Sequence, residues 1–154
     1  MNIIMNPVAR VRSSRPGLDD DNWGAVVSQI ELAQEFDEEA LDGIEAFSHL
    51  EVIFFFDQVA EDKIERRSRH PRGNPAWPKV GIFAQRGAPR PNRIGATIVR
   101  LEKRDGRVLT VRGLDAVDGT PVLDIKPVMR EFLPPEEIRQ PTWSRELMRQ
   151  YWFA

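Results

Sequence analysis

A chain of 154 residues, 41% hydrophobic and 30% charged, is the size of one domain and long enough to bury a core. With no cysteine and only two histidines, His49 and His70, disulfides, zinc–thiolate sites and a cysteine nucleophile are excluded, and no metal site is expected. No stretch reaches the roughly 18 apolar residues of a membrane span, and the N-terminus lacks the basic start and apolar run of a signal peptide, so the expectation is a cytoplasmic chain without a membrane partner.

The net charge of −2 conceals a strong segregation. From Pro16 to Asp62 there is no lysine or arginine, against fourteen acidic residues from Asp19 to Asp62. From Lys63 to Arg93 the sign reverses: nine cations face only Glu65. A basic segment on a neutral chain can hold a polyanion through its local field. Alternatively, the two segments neutralise each other across the fold or across a dimer.

In chain order, Ile3–Arg12 and Gly24–Ala33 show interrupted alternation rich in Val and Ile and read as half-buried strands. Between them Ser13–Trp23 is a polar loop. Asp37–Phe47 is predicted to be a helix: Asp37 caps it, Glu38 and Glu39 sit at its positive end, and Ala40, Leu41, Ile44 and Phe47 form an apolar stripe. His49–Val59 centres on Val52-Ile-Phe-Phe-Phe56, a run expected of a strand covered on both faces. Polar Asp57 and Gln58 follow immediately. Glu61–Lys79 is a long basic loop, unusual in a compact domain unless it is functional or disordered. Strands are predicted at Val80–Gln85 and Ile94–Glu102, separated by the loop Arg86–Arg93. Asp105-Gly106 turns the chain into a strand over Arg107–Gly113. A second turn at Asp118-Gly119 leads into Val122–Lys126. Pro134, Pro135 and Pro141 interrupt the tail before a short amphipathic helix near Thr142–Tyr151. The fold class is therefore mainly β: one β-barrel domain over residues 1–130, with one or two short helices, and an extended C-terminal tail, 131–154, packed on the barrel or on a partner subunit.

Two segments carry candidate chemistry. In Gly81–Gly95, Pro89 and Pro91 stiffen a loop on which Arg86 and Arg90 present guanidinium forks suited to a carboxylate or phosphate, and Asn92 offers both a donor and an acceptor. The plainer reading is a tight turn with solvated arginines. In Gly113–Pro127, the turn Asp118-Gly-Thr-Pro121 gathers backbone amides, a hydroxyl and a carboxylate. Asp124 and Lys126 share one strand face, either as a buried pair kept for organisation or as a surface ion pair. No glycine-rich dinucleotide or phosphate-binding fingerprint is present. His49 reads as a core or rim histidine more readily than a catalytic one. Trp77 can stack on a base or anchor its loop. Trp23 covers a ligand or the barrel, while Trp143 and Trp152 dock the tail.

Phe47-Ser-His-Leu50, Gly81-Ile-Phe-Ala-Gln-Arg86, Arg90-Pro-Asn-Arg-Ile-Gly95 and Leu114–Pro127 resemble, in order, the motifs of the YaeB-like (TsaA-like) family. Its characterised branch contains the tRNA threonylcarbamoyladenosine N6-methyltransferases. The resemblance implies a homodimeric β-barrel enzyme using S-adenosylmethionine bound near the dimer interface. By motif match, cofactor contacts fall on Asp57, Gln58, Arg86, Gly95, Ala96, Thr97, Asp118, Gly119, Thr120 and Pro121. Arg90, Asn92, Asp124 and Lys126 support the pocket or face the substrate as its catalytic group, and Arg67, Arg69 and Arg72 grip tRNA phosphates. The sequence departs from that branch where Asp57 replaces a common histidine and where Asp20-Asp-Asn-Trp-Gly24 replaces an early proline–arginine–glutamine segment. It also ends soon after the barrel. The resemblance leaves open a methyltransferase of the same fold acting on a small molecule or another RNA, and a non-catalytic cofactor- or RNA-binding module.

Overall fold

The computed structural model describes residues 1–17 and 19–153; Leu18, within the predicted loop Ser13–Trp23, and Ala154 lie outside them. The strands are β1 (Ala9–Ser13), β2 (Val27–Leu32), β3 (His49–Phe55), β4 (Ser68–Arg69), β5 (Val80–Gly81), β6 (Ile94–Asp105), β7 (Val108–Arg112) and β8 (Pro121–Pro127), followed by one helix, α1 (Thr142–Leu147). Six strands close into a barrel in the order β1-β2-β7-β6-β3-β8, while β4 and β5 form a separate two-stranded ribbon.

Period-two burial explains the barrel. Leu50, Val52 and Phe54 of β3 point inward, with Val11, Ile30, Val99, Leu109, Val111 and Val122 from the other strands, and all are essentially buried. The alternation corrects the expectation that Val52–Phe56 is covered on both faces. Ile53 and Phe55 are half-exposed on the outer wall, and β3 ends at Phe55 rather than Val59. Closure between β1 and β8 rests on two paired positions, Ala9↔Val122 and Arg10↔Pro121. It is reinforced by Val8 N–H donating to Val122 O and Val11 N–H to Thr120 O.

The predicted helix over Asp37–Phe47 is instead two 3-10 turns, Glu38–Leu41 and Ile44–Ala46. Asp37 does cap the first, accepting from Glu39 N–H. Gly43 between them has φ +87°, a left-handed residue that ends regular helix. Only Val80–Gly81 of the predicted Val80–Gln85 strand is extended, and Ile82–Ala84 turns as a 3-10 helix that buries Ile82. The turns at Asp105-Gly106 and Asp118-Gly119 occur as expected, with glycine φ of +56° and +83°. The tail helix is shorter than the amphipathic pattern, ending at Leu147.

Antiparallel register places the end of β1, the starts of β2, β6 and β8, and the ends of β3 and β7 at one mouth of the barrel. Three long connections therefore open on that mouth: 14–26, 56–93 and 113–120. The C-terminal segment leaves β8 at the opposite end, where Val128 N–H donates to His49 O, and returns to the mouth, where Asn22, Trp23 and Gly24 N–H donate to the carbonyls of Gln150, Tyr151 and Trp152.

Candidate functional site

The mouth gathers most of the residues singled out from the sequence. Asp57 and Gln58 are exposed directly after β3. Arg86 reaches back from its loop and donates to Ala96 O in β6 at 2.5 Å. Arg90 donates to Gln85 O at 2.8 Å and Arg93 to Val59 O at 2.8 Å, so the proline-stiffened loop is clamped to both its neighbours. Asn92 is exposed. The Asp118–Pro121 corner opens β8, and β8 and β6 both flank β3. The Arg86 loop and the Asp118 corner thus stand on either side of the same strand end.

Within the corner the groups divide. Asp118 is exposed, one carboxylate oxygen accepts from Ser13 N–H at 3.0 Å, and the side chain lines a surface groove with Arg12, Val27, Gln29 and Thr110. Thr120 is only 3% exposed and its hydroxyl donates to Val117 O at 2.7 Å. Its side chain therefore shapes the turn, and the corner offers Asp118 and backbone to a ligand. Gly95 is buried, and a Cβ there would lie 2.6 Å from the Phe54 ring and 2.8 Å from Phe56.

Asp124 and Lys126 lie away from the mouth along the outer face of β8. Their ion pair of 3.2 Å is 50% and 58% exposed at the side chains, which decides between the two alternatives in favour of the surface ion pair. The two lie opposite Ile53 and Glu51, below a register shift between Ile53 and Phe54. His49 sits at the opposite end of the barrel, its Nδ1 2.7 Å from Ser48 Oγ, and is remote from the mouth.

The basic loop is partly tied down. Arg72, at φ +52°, pairs with Asp21 at 2.9 Å and with Asp20 at 3.8 Å, so acidic and basic segments do meet here. Arg69 is built into the loop: its carbonyl accepts from Gln85 Nε2 and its Nε is buried without a partner. Arg66 and Arg67 are exposed. Among the described residues, Arg72 is the one cation of Lys63–Arg93 that forms an ion pair with a carboxylate. Trp77 Nε1 donates to Glu146 of the tail at 2.8 Å, and Trp23 is buried under the Arg15 guanidinium, 3.7 Å from its ring centre. Both are anchors. No group of three or more metal-ligating side chains occurs among the described residues.

Two residues at the mouth were not singled out from the sequence. Asp115, within the Leu114–Pro127 motif, accepts from the Thr97 hydroxyl on one oxygen and from the Tyr151 hydroxyl on the other. Burial, then the charge of Asp115 and its hydrogen bond, hold the Tyr151 phenol well above the usual tyrosine range, opposed by Arg72 and Arg86. Tyr151 is the sole tyrosine of the chain. Its position in the tail was the one available signal.

The raised ionisation has a sign. Neutral phenol is favoured by folding, so its stabilisation is complete below the unfolded tyrosine pKa of about 10 and is lost as pH rises toward the folded value. Tyrosinate absorbance is expected to appear only as the chain unfolds in alkali. A reversible titration near pH 10 with the fold intact would contradict the buried Asp115–Tyr151 contact.

Fold and site together define a small closed β-barrel protein whose three long loops gather at one mouth. The chain belongs to the tRNA-methyltransferase O N-terminal domain family, whose model matches residues 19–132. The tRNA (adenine(37)-N6)-methyltransferase of Homo sapiens is 39% identical over 104 residues, covering 68% of this chain and 23% of that protein. A "Probable S-adenosyl-L-methionine-binding protein" of Methanothermobacter thermautotrophicus is 39% identical over 136 residues, covering 86% of this chain and 94% of that protein. A crystal structure of TrmO from P. aeruginosa superposes with a TM-score of 0.75 at 30% identity, covering 93% of this chain and 62% of that one. The chain spans less than half the length of several other curated relatives. No helix among the described residues is long and apolar enough to cross a membrane.

Proposed function

We propose that this chain is an S-adenosylmethionine-dependent methyltransferase that methylates N6 of the adenosine beside the tRNA anticodon, with the threonylcarbamoyl-modified base as acceptor, in the cytoplasm. The observation that carries the reading is the convergence of the Arg86 loop, the start of β6 and the Asp118 corner on one barrel mouth, beside a loop of exposed cations. The donor set fits the cofactor: Asp118 and Asp57 offer exposed carboxylates to a cation, and Arg86 and the backbone of Gly95–Thr97 and Asp118–Pro121 offer polar contacts to its amino-acid and nucleoside parts. When bound, the cofactor supplies a methyl group on a positively charged sulfur. The protein's part is to hold acceptor and donor in line and exclude water. Arg90 and Asn92 border that space. Asp124 and Lys126, on the outer wall, reach an acceptor only if a second subunit covers that wall.

A homodimer belongs to the same reading. The outer faces of β3 and β6 present Ile53, Phe55, Ile94, Ala96 and Ile98 side by side, with Ile98 45% exposed, and a second copy would cover them. Arg66 and Arg67, with Arg69 behind them, would meet tRNA phosphates.

The test is transfer of labelled methyl from S-adenosylmethionine to tRNA carrying or lacking threonylcarbamoyladenosine. Transfer to the modified tRNA alone is expected. Transfer to other acceptors would favour a relative with a different substrate, and binding without transfer a non-catalytic module. In the same assay Arg67→Gln should weaken tRNA capture at low salt and flatten its salt dependence by about one counterion. Unchanged capture would remove the basic loop from the substrate path.

A further inference from the structure

The tail segment Thr142–Phe153 lies outside the matched family region of residues 19–132, yet it is built into the mouth. Gln150, Tyr151 and Trp152 accept three successive backbone hydrogen bonds of 2.8–2.9 Å from Asn22, Trp23 and Gly24. The strap is therefore fastened to the mouth through its backbone, although neither segment is a strand. Glu146 holds Trp77 of the basic loop. The phenol of Tyr151 then reaches Asp115, three residues before the Asp118 corner, and through the same carboxylate Thr97, the neighbour of Ala96 that holds Arg86.

We infer that Tyr151 is a positioning residue for the cofactor pocket: it fixes Asp115, which ties the loop carrying Asp118 to the β6 wall on which Arg86 is held. This rests on the reading of the mouth as the S-adenosylmethionine site. Without the phenol, one oxygen of a half-buried carboxylate loses its donor, and Asp115 must turn toward water or toward Arg86 and Arg72. Leu114, Ala116 and Val117 anchor this segment in the core, so the displacement falls on Asp115 and on the exposed Asp118-Gly119 turn, where Gly119 at φ +83° leaves the backbone free to adjust.

The test uses the full chain and two variants. Tyr151→Phe deletes the hydroxyl and keeps the ring. Gly24→Ala displaces the strap without touching Tyr151, because a Cβ there would overlap the Trp152 carbonyl. S-adenosylmethionine affinity is measured by calorimetry well below each unfolding midpoint, where a residue that only stabilises the fold leaves the dissociation constant unchanged. Both variants are expected to bind about tenfold more weakly. Amide exchange is expected to quicken over Gly113–Thr120 in both, and over Asn22–Gly24 in Gly24→Ala alone. Wild-type affinity in Tyr151→Phe, whatever its melting temperature, overturns the inference and leaves the cofactor site standing. A wild-type chain that does not bind S-adenosylmethionine overturns the site itself, and the inference with it.

Discussion

Asp118→Ala is expected to weaken S-adenosylmethionine binding at least tenfold, the largest effect of any single change at the mouth. The carboxylate has two roles that can be separated. One oxygen accepts from Ser13 N–H and holds the β1 end to the corner; in the proposed reading the other supplies negative charge to the sulfonium. Asp118→Asn keeps an acceptor for Ser13 and removes the charge. If attraction to the cation dominates, both variants lose affinity alike, and the loss shrinks with added salt because the site is exposed. If the Ser13 bond dominates, Asn restores binding. Calorimetry on the two variants decides between them, and unchanged affinity in both would remove Asp118 from the site.

Gly95→Ala is expected to cost about 2 kcal/mol of fold stability, lowering the unfolding midpoint by roughly 4–8 °C for a chain of this size. The added carbon would lie 2.6 Å from the Phe54 ring. That ring is 1% exposed and packs edge-on against Phe56 at 5.2 Å between centres, so it has nowhere to retreat. Gly95 was singled out as a cofactor contact, and the packing gives it a second reason to be glycine. A midpoint unchanged by the substitution would show that the Phe54–Phe56 pair yields more readily than its burial implies.

What could be read from the sequence followed local rules. The Asp-Gly turns at 105–106 and 118–119 depend on neighbours in the chain, and they appear where expected; the alternation of Leu50, Val52 and Phe54 does not show in the sequence, because the outward Ile53 and Phe55 are as apolar as the inward residues. The helix over Asp37–Phe47 fails because an apolar stripe was given more weight than Gly43, whose left-handed backbone splits it. Asp124 and Lys126 were placed on one face correctly, but which face points outward depends on the register of β8 against β3, including its shift at Ile53 and Phe54, and no local pattern encodes that. The Asp115–Tyr151 contact joins residues 36 apart in the chain. It follows from the return of the tail to the mouth, a tertiary fact with no periodic signal. The pairing of Arg72 with Asp20 and Asp21 is of the same kind: the opposite charge blocks suggested it, but only the fold selects which residues meet.

The most direct test of the account is to titrate the full chain with S-adenosylmethionine and follow its backbone amide resonances. Shifts are predicted to concentrate at Asp57–Gln58, Arg86, Gly95–Thr97 and Asp118–Pro121, at the mouth. Shifts confined to the opposite end, around His49 and the turn at Asp105-Gly106, would contradict it.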